Sequence, residues 1–295
     1  MLYRKFPRVP HEVSILGFGC MRLPTEAGQQ AGGKIDVPEA VRMIRTAIDD
    51  GVNYIDTAYP YHNGESEAVV GKALEDGYRE KVFLATKLPV WLVTSREDMD
   101  KYLDEQLARL HTDHLDFYLL HGLGAEVWKS ISRLGVLEFL DSAKADGRIR
   151  YPGFSFHDEF SVFKEIVDSY EWSFAQIQYN YMDEENQAGT QGLEYAAKRG
   201  HGIVIMEPLR GGLLSCLGLS ILSIPDKVVL YITPINKKIK VGHTHDTNST
   251  IPACPACTLR GLLIGFWEHD CRGTLLRGGS AGAAGSYRTV KCLGI

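Results

Sequence analysis

Asp56, Tyr61, Lys87 and His121 stand in that order at or just past the ends of three successive strand-like runs. Gathered at one mouth, such groups can pass a proton to a carbonyl oxygen while a cofactor delivers hydride to the carbon. A phenol has a pKa near about 10 and needs help to act near neutrality. A lysine ammonium beside it favours the phenolate, and Lys87 is the candidate. Asp56 would pair with Lys87 and hold it in place. His121 would hydrogen-bond the substrate oxygen and orient it. Alone, none of the four is specific. A single strand-end histidine is more often a packed core or rim residue, and a single lysine after a strand is usually a solvated end. The set, on consecutive strands, favours chemistry.

Bringing such a set together requires strands that all end at one place. Apolar runs at 13–21, 53–58, 81–89, 115–121, 149–156, 174–181 and 202–209 read as strands. Between them, 66–75, 95–110, 135–147, 161–170 and 192–200 read as helices, as does the segment from Asp36, where Val41, Ile44, Ala47 and Ile48 recur at helical spacing. Asp36 with Glu39 is a capping-box variant, and Ser95 is the expected N-cap of the clearest amphipathic helix. Strict alternation argues for an α/β fold with a parallel sheet and helices outside. A doubly wound sheet should show G-x-G-x-x-G after its first strand. That position reads GFGCMRLP, with no third glycine and a proline where a helix should start. Polar and reactive residues instead cluster at strand ends, as in a (β/α)8 TIM barrel. Trp91, Trp128 and Tyr59 are candidates for an apolar pocket lining at that mouth, or for packing.

Composition sets wider bounds. The chain has 295 residues, 44% hydrophobic and 23% charged, with a net charge of −5. These are ordinary values for a globular protein, and a mild negative charge gives no reason to expect nucleic acid or an anionic membrane. No apolar run approaches the roughly 20 residues of a spanning helix. The first 14 residues lack the apolar stretch of a secretory signal, so the cytoplasm is the expected location.

The quoted runs resemble the aldo-keto reductase family from about residue 13 to 214. The resemblance is carried by GFGCMRLP, NYIDTAYPYHNGESEAVVGKAL, FLATKLP, LDFYLLH, GRIRYPGFSFHD, FAQIQYNY and MEPLRGG. It implies a barrel that uses NADP(H), with NAD(H) as the alternative, to reduce aldehydes and ketones or oxidise alcohols. Asp56, Tyr61, Lys87 and His121 match the family's catalytic tetrad, which makes Tyr61 the general acid. Ser155 and Gln178 match carboxamide contacts of the nicotinamide, although the position after Ser155 is Phe156 where the family commonly has Asn. Met206 stands where many members stack an aromatic on the ring, and Leu209, Arg210, Gly211 and Gly212 match the start of the loop over the pyrophosphate. GFSFHD with PLRGG looks most like a microbial branch in which several members carry a ferredoxin-like C-terminal extension.

After Leu214 the pattern changes. Residues 1–214 hold 33 acidic and 23 basic side chains, residues 215–295 hold 4 and 9, and five of the six cysteines lie in the second part. The division is therefore a reductase-like barrel, 1–214, and an atypical tail, 215–295, with the character of an out-of-frame or disordered end. KVVLYITPI (227–235) has strand composition and is the candidate for an eighth strand; unless the tail closes the barrel, two sheet edges stay open. Cys254-Pro-Ala-Cys257 supplies only half a zinc or iron–sulfur site, so no cluster is expected in this chain. Other readings of the whole are a non-catalytic binding or regulatory barrel, an electron-transfer protein and a non-functional frameshifted product. Substrate identity and oligomeric state are not encoded legibly.

Overall fold

The structure, a computed structural model, describes residues 1–26 and 33–212 and the backbone of 228–232. An antiparallel hairpin, β1 (Tyr3–Lys5) and β2 (Glu12–Ser14), comes first. A ring of parallel strands follows: β3 (Leu16–Gly19), β4 (Tyr54–Asp56), β5 (Phe83–Leu88), β6 (Leu115–Leu123), β7 (Ile149–Phe156), β8 (Phe174–Gln178) and β9 (Gly202–Met206). The backbone of β10 (Val228–Ile232) pairs in parallel with β9 and with β3 and closes the ring. That segment lies inside KVVLYITPI, in the stretch that composition sets apart. The remainder of 215–295, with Cys254 and Cys257, lies outside the described residues.

Helices α1 (Val37–Asp49), α2 (Ser66–Ala73), α3 (Arg96–Arg109), α4 (Ala125–Arg133), α5 (Val136–Ala145), α6 (Phe160–Ser169) and α7 (Gly189–Lys198) connect the strands. Their apolar stripes meet the outward side chains of the sheet in one continuous core, where fully burying a large apolar side chain contributes about 1.5–3 kcal/mol. Ser95 caps α3 as expected, and Asp98 completes a capping box there by accepting the Ser95 amide at 3.0 Å. On α1 Asp36 accepts the Glu39 amide at 3.2 Å, but the Glu39 carboxylate turns away to Arg42, so the reverse bond goes unmade.

The run 13–21 does not form one strand. The Ser14 amide bonds to Asn53 Oδ1 at 2.7 Å and the Ser14 hydroxyl to the Leu16 carbonyl at 2.7 Å, which separates β2 from β3. The hairpin thereby sends Phe6, Val9 and Val13 into the floor of the barrel, among Tyr54, Ala85, Phe117, Leu119, Phe174 and Val204. Phe117 is the hub, with ring centroids 5.8 Å from Phe6, 5.3 Å from Tyr54 and 5.1 Å from Phe174. Two inward positions must be glycine. A Cβ on Gly153 would lie 2.3 Å from the Phe174 ring, and one on Gly202 2.3 Å from the Phe6 ring.

Period-two alternation then settles what stands above the floor. From Tyr54 the next inward residue is Asp56; from Ala85 it is Lys87; from Leu119 it is His121; from Gly153 it is Ser155; from Phe174 come Gln176 and Gln178; from Val204 it is Met206. The apolar floor and the polar rim are successive levels of the same inward-facing rows.

Candidate active site

Lys87 is 1% exposed and organises the centre of the rim. Its ammonium pairs with the fully buried Asp56, donates to the Thr57 carbonyl at 2.8 Å and donates to the Tyr61 hydroxyl at 3.2 Å. Burial opposes the lysine charge, but the Asp56 carboxylate and the Tyr61 oxygen outweigh it and raise the lysine pKa. Asp56 is held in turn by Gln176 Nε2 at 3.1 Å and by the Tyr54 hydroxyl at 3.4 Å. A buried ion pair of this kind is costly to desolvate, and its remaining lone pairs must be satisfied. Gln176 and Tyr54 serve that need.

His121 meets Tyr61 edge-on, with ring centroids 6.0 Å apart. The exposed Trp91 also neighbours His121, with ring centroids 5.1 Å apart. Burial, then the Lys87 charge and His157, hold the His121 pKa well below the usual imidazole value, so the ring is neutral at pH 7. Its Nδ1 is buried with no partner among the described residues. A neutral imidazole beside a phenol carries one N–H donor, so it can hydrogen-bond a substrate oxygen without repelling the ammonium.

Other expected residues divide. Ser155 Oγ accepts the Gly122 amide at 2.7 Å, next to His121, and keeps its own proton to donate. Phe156 packs on Phe163 in the outer core, 5.1 Å between centroids, so it faces away from the rim. The Gln178 amide is taken up by the loop after β8, donating to Asp183 at 3.2 Å and accepting from Asn186 at 2.6 Å. Met206 is half-buried above the inner core. Leu209 to Gly212 form a tight turn with positive φ at Arg210 (48°) and Gly211 (67°), following Glu207 at 55°. Positive φ at non-glycine residues stores strain of the sort found at functional loops. Arg210 reaches Asp183 at 3.4 Å. Trp128 and Tyr59 do not line the rim: Trp128 is buried against Trp172, while Tyr59 bonds Glu105 and lies under Arg109, on the α3 side.

Sequence reasoning overlooked a buried polar set behind Lys87. Glu67 is fully buried and accepts from Thr86 Oγ1 at 2.7 Å and Gln106 Nε2 at 2.7 Å, with Arg109 at 3.3 Å. Gln106 also donates to the Lys87 carbonyl at 3.0 Å and accepts from the Tyr118 hydroxyl at 2.9 Å. The set ties α2 and α3 to the strand that carries Lys87. Its signal in the sequence is a Glu and a Gln on buried helix faces, which only contact data can pair. Gln176 was overlooked for a related reason: an inward strand residue beneath the rim looks like any core-facing position.

Among the described residues no group of three or more His, Cys, Asp or Glu could hold a metal, and no helix is long and apolar enough to cross a membrane.

The profile described as "Aldo/keto reductase family" matches residues 15–221. Methylglyoxal reductase YeaE of Escherichia coli (strain K12) is 32% identical over 157 residues, which are 52% of this chain and 50% of that protein, so this match spans about half the length of the relative. The aldo-keto reductase AKR11C1 from Bacillus halodurans, in its holo form, superposes with a TM-score of 0.64 at 26% identity, covering 79% of this chain and 86% of that one. An aldo-keto reductase from Klebsiella pneumoniae, solved in complex with NADPH, shares the fold with a TM-score of 0.63 at 21% identity, covering 80% and 86%. A profile match across most of the chain, on a barrel of the same architecture, establishes the assignment: this chain is an oxidoreductase of the aldo/keto reductase family.

Proposed function

We propose that the protein reduces the carbonyl of small aldehydes or ketones with NADPH, and oxidises the corresponding alcohols in reverse. The observation that carries this reading is Lys87 Nζ, buried between the Asp56 carboxylate and the Tyr61 hydroxyl 3.2 Å away. A cation at that distance lowers the cost of removing the phenolic proton. Tyr61 would then donate its proton to the substrate oxygen as the carbon is reduced. Lys87 would stabilise the resulting phenolate, and Asp56 would keep Lys87 charged and fixed. The neutral His121 would direct the carbonyl oxygen toward Tyr61.

What NADP(H) supplies when bound is hydride delivery to the carbonyl carbon. The rim fits a nicotinamide in kind. Ser155 has a proton to donate and Met206 offers a half-buried polarisable surface. Gln178 would join them by exchanging its bond to Asp183 or Asn186 for a carboxamide. Leu209, Arg210, Gly211 and Gly212 would follow the pyrophosphate, where backbone amides of a strained turn suit anionic oxygens.

The small-carbonyl substrate class is supported by the methylglyoxal reductase among the relatives. The test is NADPH oxidation by the purified full chain with a panel of 2-oxoaldehydes, aromatic aldehydes and simple ketones. Turnover with at least one carbonyl, and preference for NADPH over NADH, is the expected result. Cofactor binding without turnover on any carbonyl would contradict the proposal and favour a binding barrel.

A further inference from the structure

The segment right after Tyr61 has an unusual backbone. His62 (φ 51°, ψ 49°) and Asn63 (φ 55°, ψ 29°) are both left-handed, and Gly64 continues at φ 90°. A left-handed conformation costs a residue with a Cβ roughly 1–2 kcal/mol, less for asparagine, so surrounding contacts must hold the turn at His62. His62 is one such contact. Its side chain is buried, and Nε2 accepts the backbone amide of Leu23 at 2.9 Å. Leu23 is itself fully buried and follows the short helical turn Cys20–Arg22 after β3. Four residues further on, Ser66 Oγ donates to the Cys20 carbonyl at 3.2 Å. Two bonds therefore fasten the Tyr61 turn to the segment leaving β3, one through each side of the turn.

We propose that His62 is a positioning residue for Tyr61: its neutral imidazole, by accepting the Leu23 amide, holds the left-handed turn that sets the phenol beside Lys87 and His121. The inference rests on the reading of Tyr61 as the acid. Accepting at Nε2 requires the ring proton to be on Nδ1. An incoming substrate does not need to touch His62. The ring acts through the backbone by preventing the turn from relaxing to right-handed geometry. That relaxation would displace the Tyr61 hydroxyl relative to Lys87, where misplacement by about 1 Å can cost on the order of 100-fold in rate.

Two substitutions separate the acceptor from the fold. Asparagine tolerates left-handed backbone, but its Oδ1 takes the place of Nδ1 and does not reach the Leu23 amide. Glutamine places an acceptor oxygen near the position of Nε2. In the full chain, H62N should lose about tenfold or more in kcat, with NADPH affinity by fluorescence titration changed less than about twofold. H62Q should restore kcat to within about threefold of the parent. Y61F is measured alongside. If H62N keeps the parent kcat while Y61F is inactive, His62 does not position the acid. If H62N and H62Q fall equally, the acceptor is not what matters and the proposal also fails. If Y61F retains full activity, the acid assignment itself is wrong, whatever His62 does.

Discussion

Replacing Asp56 by asparagine isolates the electrostatic core of the site. The change removes the counter-charge of a lysine that is 1% exposed while keeping the shape of the side chain. Losing one partner of a buried pair typically costs about 3–5 kcal/mol. A second route gives the same magnitude. The stranded lysine can enter the fold neutral, and from its ordinary pKa of 10.5 the deprotonation at pH 7 costs about 5 kcal/mol. In the parent the folded lysine pKa is raised, so the pair's contribution is fully present below 10.5 and does not change between pH 7 and 9. In the variant the folded lysine is neutral while the unfolded one is charged. Raising the pH lowers the cost of deprotonating that lysine on folding, and the deficit should shrink to about 2 kcal/mol at pH 9. Thermal and urea melts followed by circular dichroism at both pH values read this directly, with a drop of about 10 °C at pH 7. The double variant D56N/K87M buries no charge and should recover most of the loss at both pH values. A D56N protein as stable as the parent, or equally weakened at pH 7 and 9, would refute this account of the pair.

Other outcomes follow from the same structure. G153A places a methyl 2.3 Å from the Phe174 ring in the barrel floor, so it should cost about 1–3 kcal/mol in a urea melt; an unchanged midpoint would mean that the floor is not packed as described. Burial holds His62, His121 and His201 below the usual imidazole pKa. The unfolded chain then binds protons first, and their share of stability is lost as pH falls below about 6.5. Melts between pH 7.5 and 5 should show that loss, and H121Q should reduce it. Glu67, whose carboxyl burial holds above its ordinary value, works in the opposite sense.

How much of this was legible in the sequence depended on whether the signal was local. The parallel strands announce themselves as short apolar runs, and Ser95 announces α3 through a cap four residues long. Helix α4 went unread because its cap is not local. Gly124 has no side chain to offer, and the Ala125 amide is satisfied at 2.8 Å by Asp158, on the far side of β7. The hairpin plug is hidden for a similar reason. Phe6 looks like an isolated aromatic in a basic stretch until it meets Phe117 and Phe174. At the site, Asp56, Lys87 and His121 were legible because each stands at the end of a strand-like run and the set matches a family motif; alternation along three strands then sends them inward together. Gln176 was not, since nothing local distinguishes it from Gln178, and only the closed ring brings it to Asp56.

The most direct test of the central claim is single-turnover reduction of an accepted aldehyde by Y61F with bound NADPH. The phenol's removal leaves Lys87 and Asp56 in place. If Tyr61 is the acid, the hydride-transfer rate should fall by about 10²–10⁴-fold while NADPH binds with unchanged affinity. A rate equal to that of the parent would contradict the account.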